Sequence, residues 1–313
     1  MMKILVNDGM EAEALEKLKA LGYDVDDNQY KGEDLVNKIK EVDVIVVRSA
    51  TKVRKDFIDE ALKTGKLKLI IRGGVGVDNI DVKYAEENGI TVRNTPLASS
   101  ASVAELAIGH MFALARYINI SNVTMREGKW EKKKYQGFEL GGKTLGLIGF
   151  GRIARETAKR ASALGMKVVY TDITGEAKGY DQFKFLEKEE LLKVSDFVSL
   201  HIPFIKSVGA VIGEKELNIM KNSAYLINCA RGGVVDEKAL LNALNNGDIA
   251  GAALDVFEKE PNENAELVNH PKVSATPHIG GSTIEAQKRI GEEIVAIINE
   301  FGGKDLDGDD KAV

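Results

Sequence analysis

Gly149-Phe150-Gly151-Arg152-Ile153-Ala154 lies between an apolar run, residues 144–148, and a segment in which Ala154, Ala158, Ala161 and Leu164 share one helical face. A glycine at the first position permits the tight turn out of a strand, and one at the third lets the backbone approach a ligand. A small sixth residue lets the helix pack closely on the strand. The next apolar run, residues 167–171, leads into Asp172, about 20 residues past the glycines, where a dinucleotide fingerprint places its acid. Strand, glycine turn, helix, strand and acid describe one βαβ unit whose helix N-terminus holds a pyrophosphate. Gly149, Gly151, Arg152 and Ile153 are expected along the phosphates. Asp172 is expected to accept from the adenosine ribose hydroxyls and to repel a 2′-phosphate. No Arg follows in Ile173-Thr174-Gly175, so the expected cofactor is NAD, not NADP.

The same alternation fills the chain. Residues 3–6, 42–47, 67–71 and 90–92 are short continuous apolar runs, as strands buried on both faces are, with amphipathic segments at 11–21, 32–40 and 57–62 between them. A second series follows at 144–149, 167–171, 196–200, 224–228, 251–255 and 272–276. Repeated strand–helix–strand units predict an α/β fold of two doubly wound parallel-sheet domains. The expected layout is a Rossmann-type NAD domain, residues 98–283, inserted into a flavodoxin-like substrate domain, residues 1–97 and 284–313. Ser102-Val103-Ala104-Glu105 has the spacing of a capping box before a long helix, and Ser282-Thr283-Ile284-Glu285 repeats it. The second helix carries a stripe of Ile290, Ile294, Ile297, Ile298 and Phe301, which should return it to the first domain.

Charge and cysteine usage narrow the partners. With 43 basic and 48 acidic residues mixed along 313, net −5, neither nucleic acid nor an anionic membrane is expected. One cysteine, Cys229, excludes a disulfide framework and a cysteine-based zinc site, so no metal is expected. The N-terminal apolar run is too short for a signal-peptide core, and the expected compartment is the cytoplasm. A polar tail, residues 305–311, reads as frayed. No further domain is expected after the last helix.

Polar residues follow the apolar runs at the sheet edge where open parallel sheets bind ligands. Arg231 follows 224–228, Asp255 and Glu260 follow 251–254, and His278 follows 272–276. Arg72-Gly73-Gly74-Val75-Gly76-Val77-Asp78 follows another strand and can form a backbone-amide cradle for a substrate carboxylate. His110 and His270 read as structural. Cys229 is open to two readings, packing and cofactor contact. Lys132–Lys134 is equally open, as a solvated run or as a basic arm.

These motifs, in this order, resemble the D-2-hydroxyacid dehydrogenase family over essentially the whole chain: Asn228-Cys229-Ala230-Arg231-Gly232-Gly233, Asp255-Val256-Phe257, Glu260-Pro261 and Pro277-His278-Ile279-Gly280-Gly281. Further matches are Val47-Arg48-Ser49-Ala50-Thr51, Gly74 to Asn79, Asn94-Thr95-Pro96 and Gly128-Lys129-Trp130. Within the family, Arg48 to Thr51 and Gly280 to Gln287 are similar to phosphoglycerate dehydrogenases. The resemblance implies that His278 is the acid/base and Glu260 its partner, because a base must take the hydroxyl proton as hydride leaves C2. It implies that Arg231 clamps the carboxylate, that Asp255 meets the nicotinamide carboxamide, and that His201, Pro203, Cys229, Ala230 and Gly280 line the cofactor. Arg48 is implied to read a substrate phosphate. Arg72 helps at the same end, the backbone of Gly74, Val75 and Gly76 is left to cradle the carboxylate, and Lys132 reaches a neighbouring subunit's site in a homodimer. The expected reaction is NAD-dependent oxidation of 3-phosphoglycerate, a small phosphorylated hydroxy acid, to 3-phosphohydroxypyruvate, the first step of serine biosynthesis. The alternatives are a glyoxylate, hydroxypyruvate or other 2-hydroxyacid reductase, and a non-catalytic NAD-binding module. A Rossmann methyltransferase would leave the Arg, Glu and His motifs as coincidence.

Overall fold

Short apolar runs buried on both faces form most strands of the computed structural model, which describes residues 1–303. The polar tail at 305–311 lies outside the described residues. The chain forms two compact units, Met1–Ser99 together with the segment from Gly281, and Ser100–Gly280.

The first unit carries β1 (Lys3–Val6), β2 (Asp24–Asp26), β3 (Val44–Val47), β4 (Leu69–Arg72) and β5 (Thr91–Asn94), all parallel in the order β2-β1-β3-β4-β5. That is the flavodoxin-like order. Successive side chains leave a strand on opposite faces, and each face here has its own core. Leu5, Ile45, Val47 and Ile70 enter one cluster; Ile4, Val6, Val44, Val46, Leu69 and Ile71 enter the other. The helix Ile284–Phe301 contributes Ile290, Ile294 and Ile298 to the second cluster. Ile297 is only partly buried and Phe301 is 41 % exposed, so the buried stripe is narrower than expected and ends at Ile298.

The second unit carries β6 (Thr144–Ile148), β7 (Lys167–Thr171), β8 (Lys184–Phe185), β9 (Phe197–Leu200), β10 (Tyr225–Asn228), β11 (Gly251–Leu254) and β12 (Val273–Ala275). They are parallel in the order β12-β11-β10-β9-β6-β7-β8, a Rossmann order with one further strand. The chain runs outward from β6 to β8 and then crosses back to β9, on the other side of β6. The five-stranded sheet makes the same reversal between β1 and β3. Crevices at such reversals are where open parallel sheets bind ligands.

β2 and β8 were not visible as apolar runs, because both are short edge strands of mixed polarity, Asp24-Val25-Asp26 and Lys184-Phe185. The first capping box is not made. The helix Ser100–Ala115 begins before Ser102, which is buried inside it, because nothing in Ser100-Ala101 opposes the helix. The second cap is shifted by one residue: Thr283, not Ser282, accepts from Ala286 N at 3.1 Å. Leu164 ends its helix and is 38 % exposed, leaving Ala154, Ala158 and Ala161 as the buried face. No helix among the described residues is long and apolar enough to cross a membrane.

Candidate active site

At the reversal of the seven-stranded sheet, Gly149 leaves β6 with φ 85°, and a Cβ there would stand 2.5 Å from the His201 carbonyl oxygen. Only glycine fits. Gly151 precedes the helix Arg152–Ala163, has open space where a Cβ would be, and supplies no side-chain cap. The N–H groups of that first turn are therefore open toward an anion, which fits a pyrophosphate. Asp172 follows β7. Its Oδ2 accepts from Phe150 N at 2.7 Å, and its Oδ1 accepts from Thr174 N at 2.9 Å and Thr174 Oγ1 at 2.7 Å. Burial would raise this carboxyl, but those hydrogen bonds and the Arg155 charge hold it below the usual carboxylate range. A carboxylate has roughly four acceptor positions, so Oδ2 keeps one for a ribose hydroxyl.

Arg152 is exposed and Ile153 half-buried on the first helical turn. His201 follows β9, lies 3.0 Å from Ser199 Oγ through Nε2, and is pushed by burial down to about 3, so its ring is neutral at physiological pH. Pro203 is exposed in the next loop. Cys229 is 6 % exposed in the apolar cluster of Leu145, Leu147 and Ala253, and burial pushes its thiol far up. Ala230 is buried beside it in the chain.

Arg231 sits in a turn stapled by Asn228, whose Oδ1 accepts from Ala230 N and whose Nδ2 donates to the Arg231 carbonyl, both at 3.0 Å. The Arg231 Nη1 donates to the Ala230 carbonyl at 2.6 Å. Gly232 lets this turn close on the β11 loop, since a Cβ there would lie 1.7 Å from the Phe257 carbonyl oxygen. His278, just past β12, has φ 53°, a left-handed conformation uncommon for a residue with a Cβ. Its Nδ1 is 2.7 Å from Glu260 Oε2, and Glu260 Oε1 accepts from Phe257 N at 3.2 Å. Burial would raise the Glu260 carboxyl, but the His278 hydrogen bond and charge, the Phe257 N–H and the Arg231 charge hold it low. The second ring nitrogen, Nε2, has no partner among the described residues. A half-exposed imidazole with a carboxylate on one nitrogen and the other free can take and return a proton. Asp255 is 1 % exposed. Its Oδ1 accepts from Thr276 Oγ1 at 2.6 Å and Ile279 N at 2.8 Å, and its Oδ2 accepts from Gly280 N at 2.8 Å. It thus holds the turn that carries His278.

The other unit has its own set of candidate residues. Arg48 follows β3; its backbone N–H donates to Asp8 Oδ2 at 2.7 Å and its carbonyl accepts from Asn79 Nδ2 at 2.7 Å. Its guanidinium has no hydrogen bond or ion pair among the described residues, and its stem lies 3.8 Å from where a Gly73 Cβ would stand. The loop after β4 is turned by Gly74, φ 142°, over which the Arg72 guanidinium is laid. The carbonyls of Gly74 and Val75 are taken by Thr95 N and Asn94 Nδ2. The N–H groups of Gly74, Val75 and Gly76 have no acceptor among the described residues, as an anion cradle needs. Lys132, in the second unit, is exposed on a 3-10 turn beside Lys133 and Lys134.

Sequence reasoning missed Asp8, Asn79, Asn228 and Arg155 as parts of these sites. Asp8 closely follows the apolar run 3–6, and an acid after a strand is the signal that singled out Asp172. Arg155 donates from Nε to the Phe150 carbonyl at 2.9 Å and lies 4.5 Å over the Tyr180 ring, clamping the glycine turn.

Residues 108–280 match the model of the D-isomer specific 2-hydroxyacid dehydrogenase NAD binding domain. The chain is 46 % identical over 296 residues to a D-3-phosphoglycerate dehydrogenase of Methanocaldococcus jannaschii, covering 93 % of this chain and 56 % of that protein. It is 46 % identical over 306 residues to a hydroxypyruvate reductase of Thermotoga maritima, covering 96 % of this chain and 98 % of that protein. A glyoxylate reductase structure from Paecilomyes thermophila matches with TM-score 0.85 and 33 % identity, covering 96 % of this chain and 95 % of that one. The chain thus spans little more than half the length of the Methanocaldococcus relative.

Proposed function

The chain belongs to the D-isomer-specific 2-hydroxyacid dehydrogenase family, and from that premise we propose that it oxidises 3-phosphoglycerate to 3-phosphohydroxypyruvate with NAD. The observation that carries the choice of substrate is Arg48, a cation without a partner among the described residues, beside a glycine loop with free N–H groups. Such a group suits a phosphate dianion.

Bound at Gly149–Asp172, NAD supplies the acceptor for the hydride that leaves C2. His278 takes the hydroxyl proton on Nε2 as the C2–O bond becomes a carbonyl, and Glu260 on Nδ1 steadies the imidazolium that forms. Arg231 pairs with the substrate carboxylate through its planar fork. Asp172 accepts from the ribose and disfavours a 2′-phosphate.

A second reading, reduction of unphosphorylated 2-oxo acids, is favoured by the Thermotoga hydroxypyruvate reductase, which matches along nearly its full length. The protein is proposed to work as a homodimer. Ile118, Val123, Met125 and Trp130 are 50–79 % exposed within one short stretch, the kind of apolar surface a second copy covers.

Initial rates with NAD and a panel of D-hydroxy acids, with and without a 3-phosphate, test the substrate. A clear preference for the phosphorylated acid is expected. Preference for glycerate or glycolate favours the second reading, and NADH binding without any turnover leaves a binding module.

A further inference from the structure

Asp255 and the turn it holds are the end of a longer chain of hydrogen bonds, buried at His110 and Ser274, that the sequence does not announce. Asn119, in the helix Ile118–Arg126, donates from Nδ2 to Ser274 Oγ on β12. Ser274 Oγ lies 2.9 Å from His110 Nδ1, and His110 Nε2 lies 3.1 Å from Thr276 Oγ1. Thr276 Oγ1 is in turn 2.6 Å from Asp255 Oδ1.

The ends fix the direction. Asp255 Oδ1 already accepts from Ile279 N, so Thr276 donates its only proton to Asp255 and must accept from His110 Nε2–H. Ser274 accepts from the Asn119 amide, so its proton goes to His110 Nδ1. A neutral imidazole, donor at Nε2 and acceptor at Nδ1, is what this site requires. His110 is 3 % exposed, and burial pushes its pKa below the ordinary histidine value against a smaller pull from the Asp255 charge. The ring therefore stays neutral and the tautomer is set.

We propose that His110 is a positioning residue for His278, acting through Thr276 and Asp255, and that this role serves the acid/base reading given above. Asp255 grips the N–H groups of Ile279 and Gly280, the two residues after the left-handed His278. Thr276 is committed to Asp255 only while His110 occupies its other side. Without His110 the hydroxyl is free to turn away, the turn loosens, and the 2.7 Å contact between His278 and Glu260 is no longer enforced.

The chain has four histidines, so labelling them with nitrogen-15 gives a readable set of ring N–H resonances. The downfield Nδ1–H of His278, bonded to Glu260, is assigned by its loss in His278→Ala. In His110→Phe, which keeps the bulk, that resonance should shift or vanish, and kcat should fall about tenfold, the order of one buried hydrogen bond. The Kd for NADH should change less than kcat does. His110→Gln, whose amide offers one donor and one acceptor, should recover both the resonance and kcat. An unchanged His278 resonance in His110→Phe overturns the proposal, and so does equal loss in the Phe and Gln variants. If His110→Phe does not fold, Ser274→Ala removes the donor to Nδ1 while keeping the packing, and a wild-type resonance there overturns it equally. Should His278→Ala retain turnover, the acid/base reading falls, yet the resonance in His110→Phe still reports whether His110 sets the His278 turn.

Discussion

Asp8 after β1, Asp172 after β7 and Asp255 after β11 have the same task at three places. Each accepts from backbone N–H groups in the loop that follows the neighbouring strand: Arg48 and Thr51 after β3, Phe150 after β6, and Ile279 and Gly280 after β12. The two units differ in what the held loop presents. In the five-stranded sheet it is Arg48, whose guanidinium has no ion pair among the described residues. In the seven-stranded sheet it is a bare glycine turn and, further along, a histidine already paired with its carboxylate. An unpaired charge is suited to binding an ion, and a paired acid and base to moving a proton. On the reading proposed above, Arg48 in the first unit is the candidate for binding the phosphate and His278 in the second is the candidate for moving the proton.

The most severe test falls on the paired histidine. His278→Ala should lower kcat by about 10²–10⁴-fold, the usual cost of a lost general acid/base, while NADH still binds. Turnover near the wild-type rate would remove proton transfer from the second unit. Arg48→Ala should lower kcat/KM for 3-phosphoglycerate by about 10- to 150-fold, from the ~1.5–3 kcal/mol of a charge-assisted hydrogen bond. Its rate with an unphosphorylated hydroxy acid should barely change. Equal losses with both substrates would make Arg48 structural and erase the contrast between the units. Asp8→Asn should show the same selectivity at smaller size, since it loosens the Arg48 loop without removing the cation.

Asp172→Ala should be gentler again. It should raise the Kd for NADH and narrow the preference for NAD over NADP by about tenfold, the worth of one hydrogen bond to a charged group. Equal wild-type efficiency with the two cofactors would count against a ribose role, leaving Asp172 to hold Phe150 alone.

How much of this was legible follows from where the information lies. Val44–Val47 and Tyr225–Asn228 announce themselves because a strand buried on both faces must be apolar throughout. Arg231 and His278 stand out because each is a polar residue placed directly after such a run. β2 and β8, at the margins of their sheets, have no such run. The ties that hold the candidate residues are silent for a different reason. Arg48 and Asp8 are 40 residues apart, and His110 and Thr276 are 166 apart, so no local spacing reports them. The capping boxes misled, by three residues at Ser102 because Ser100-Ala101 can already be helical, and by one at Ser282 because Thr283 can cap as well.

The smallest expected effect sharpens the comparison from a fourth carboxylate. Asp26 ends β2 but, unlike the other three, makes most of its bonds to side chains: Lys38 Nζ at 2.6 Å, Tyr30 Oη at 2.9 Å and the Asn28 amide at 2.8 Å, besides Asn28 N at 3.0 Å. Burial would raise its pKa, but the Lys38 hydrogen bond and the bonds from Asn28 and Tyr30 lower it from 3.8 to about 2. Because the folded value lies below the unfolded one, the carboxylate's stabilisation is fully present above about pH 4. It fades as pH falls through about 2. The nominal linkage is a little over 2 kcal/mol. With both side chains partly solvated, about 1 kcal/mol is the expected loss in Asp26→Asn near pH 7. Urea midpoints of wild type and variant should therefore converge between pH 4 and pH 2, with kcat/KM at pH 7 unchanged. A midpoint difference that persists at low pH would mean that Asp26 acts by shape and hydrogen bonding alone. A fall in kcat/KM with phosphorylated substrate only would show that Asp26 joins Asp8, through Tyr30 and Asn7, in presenting Arg48.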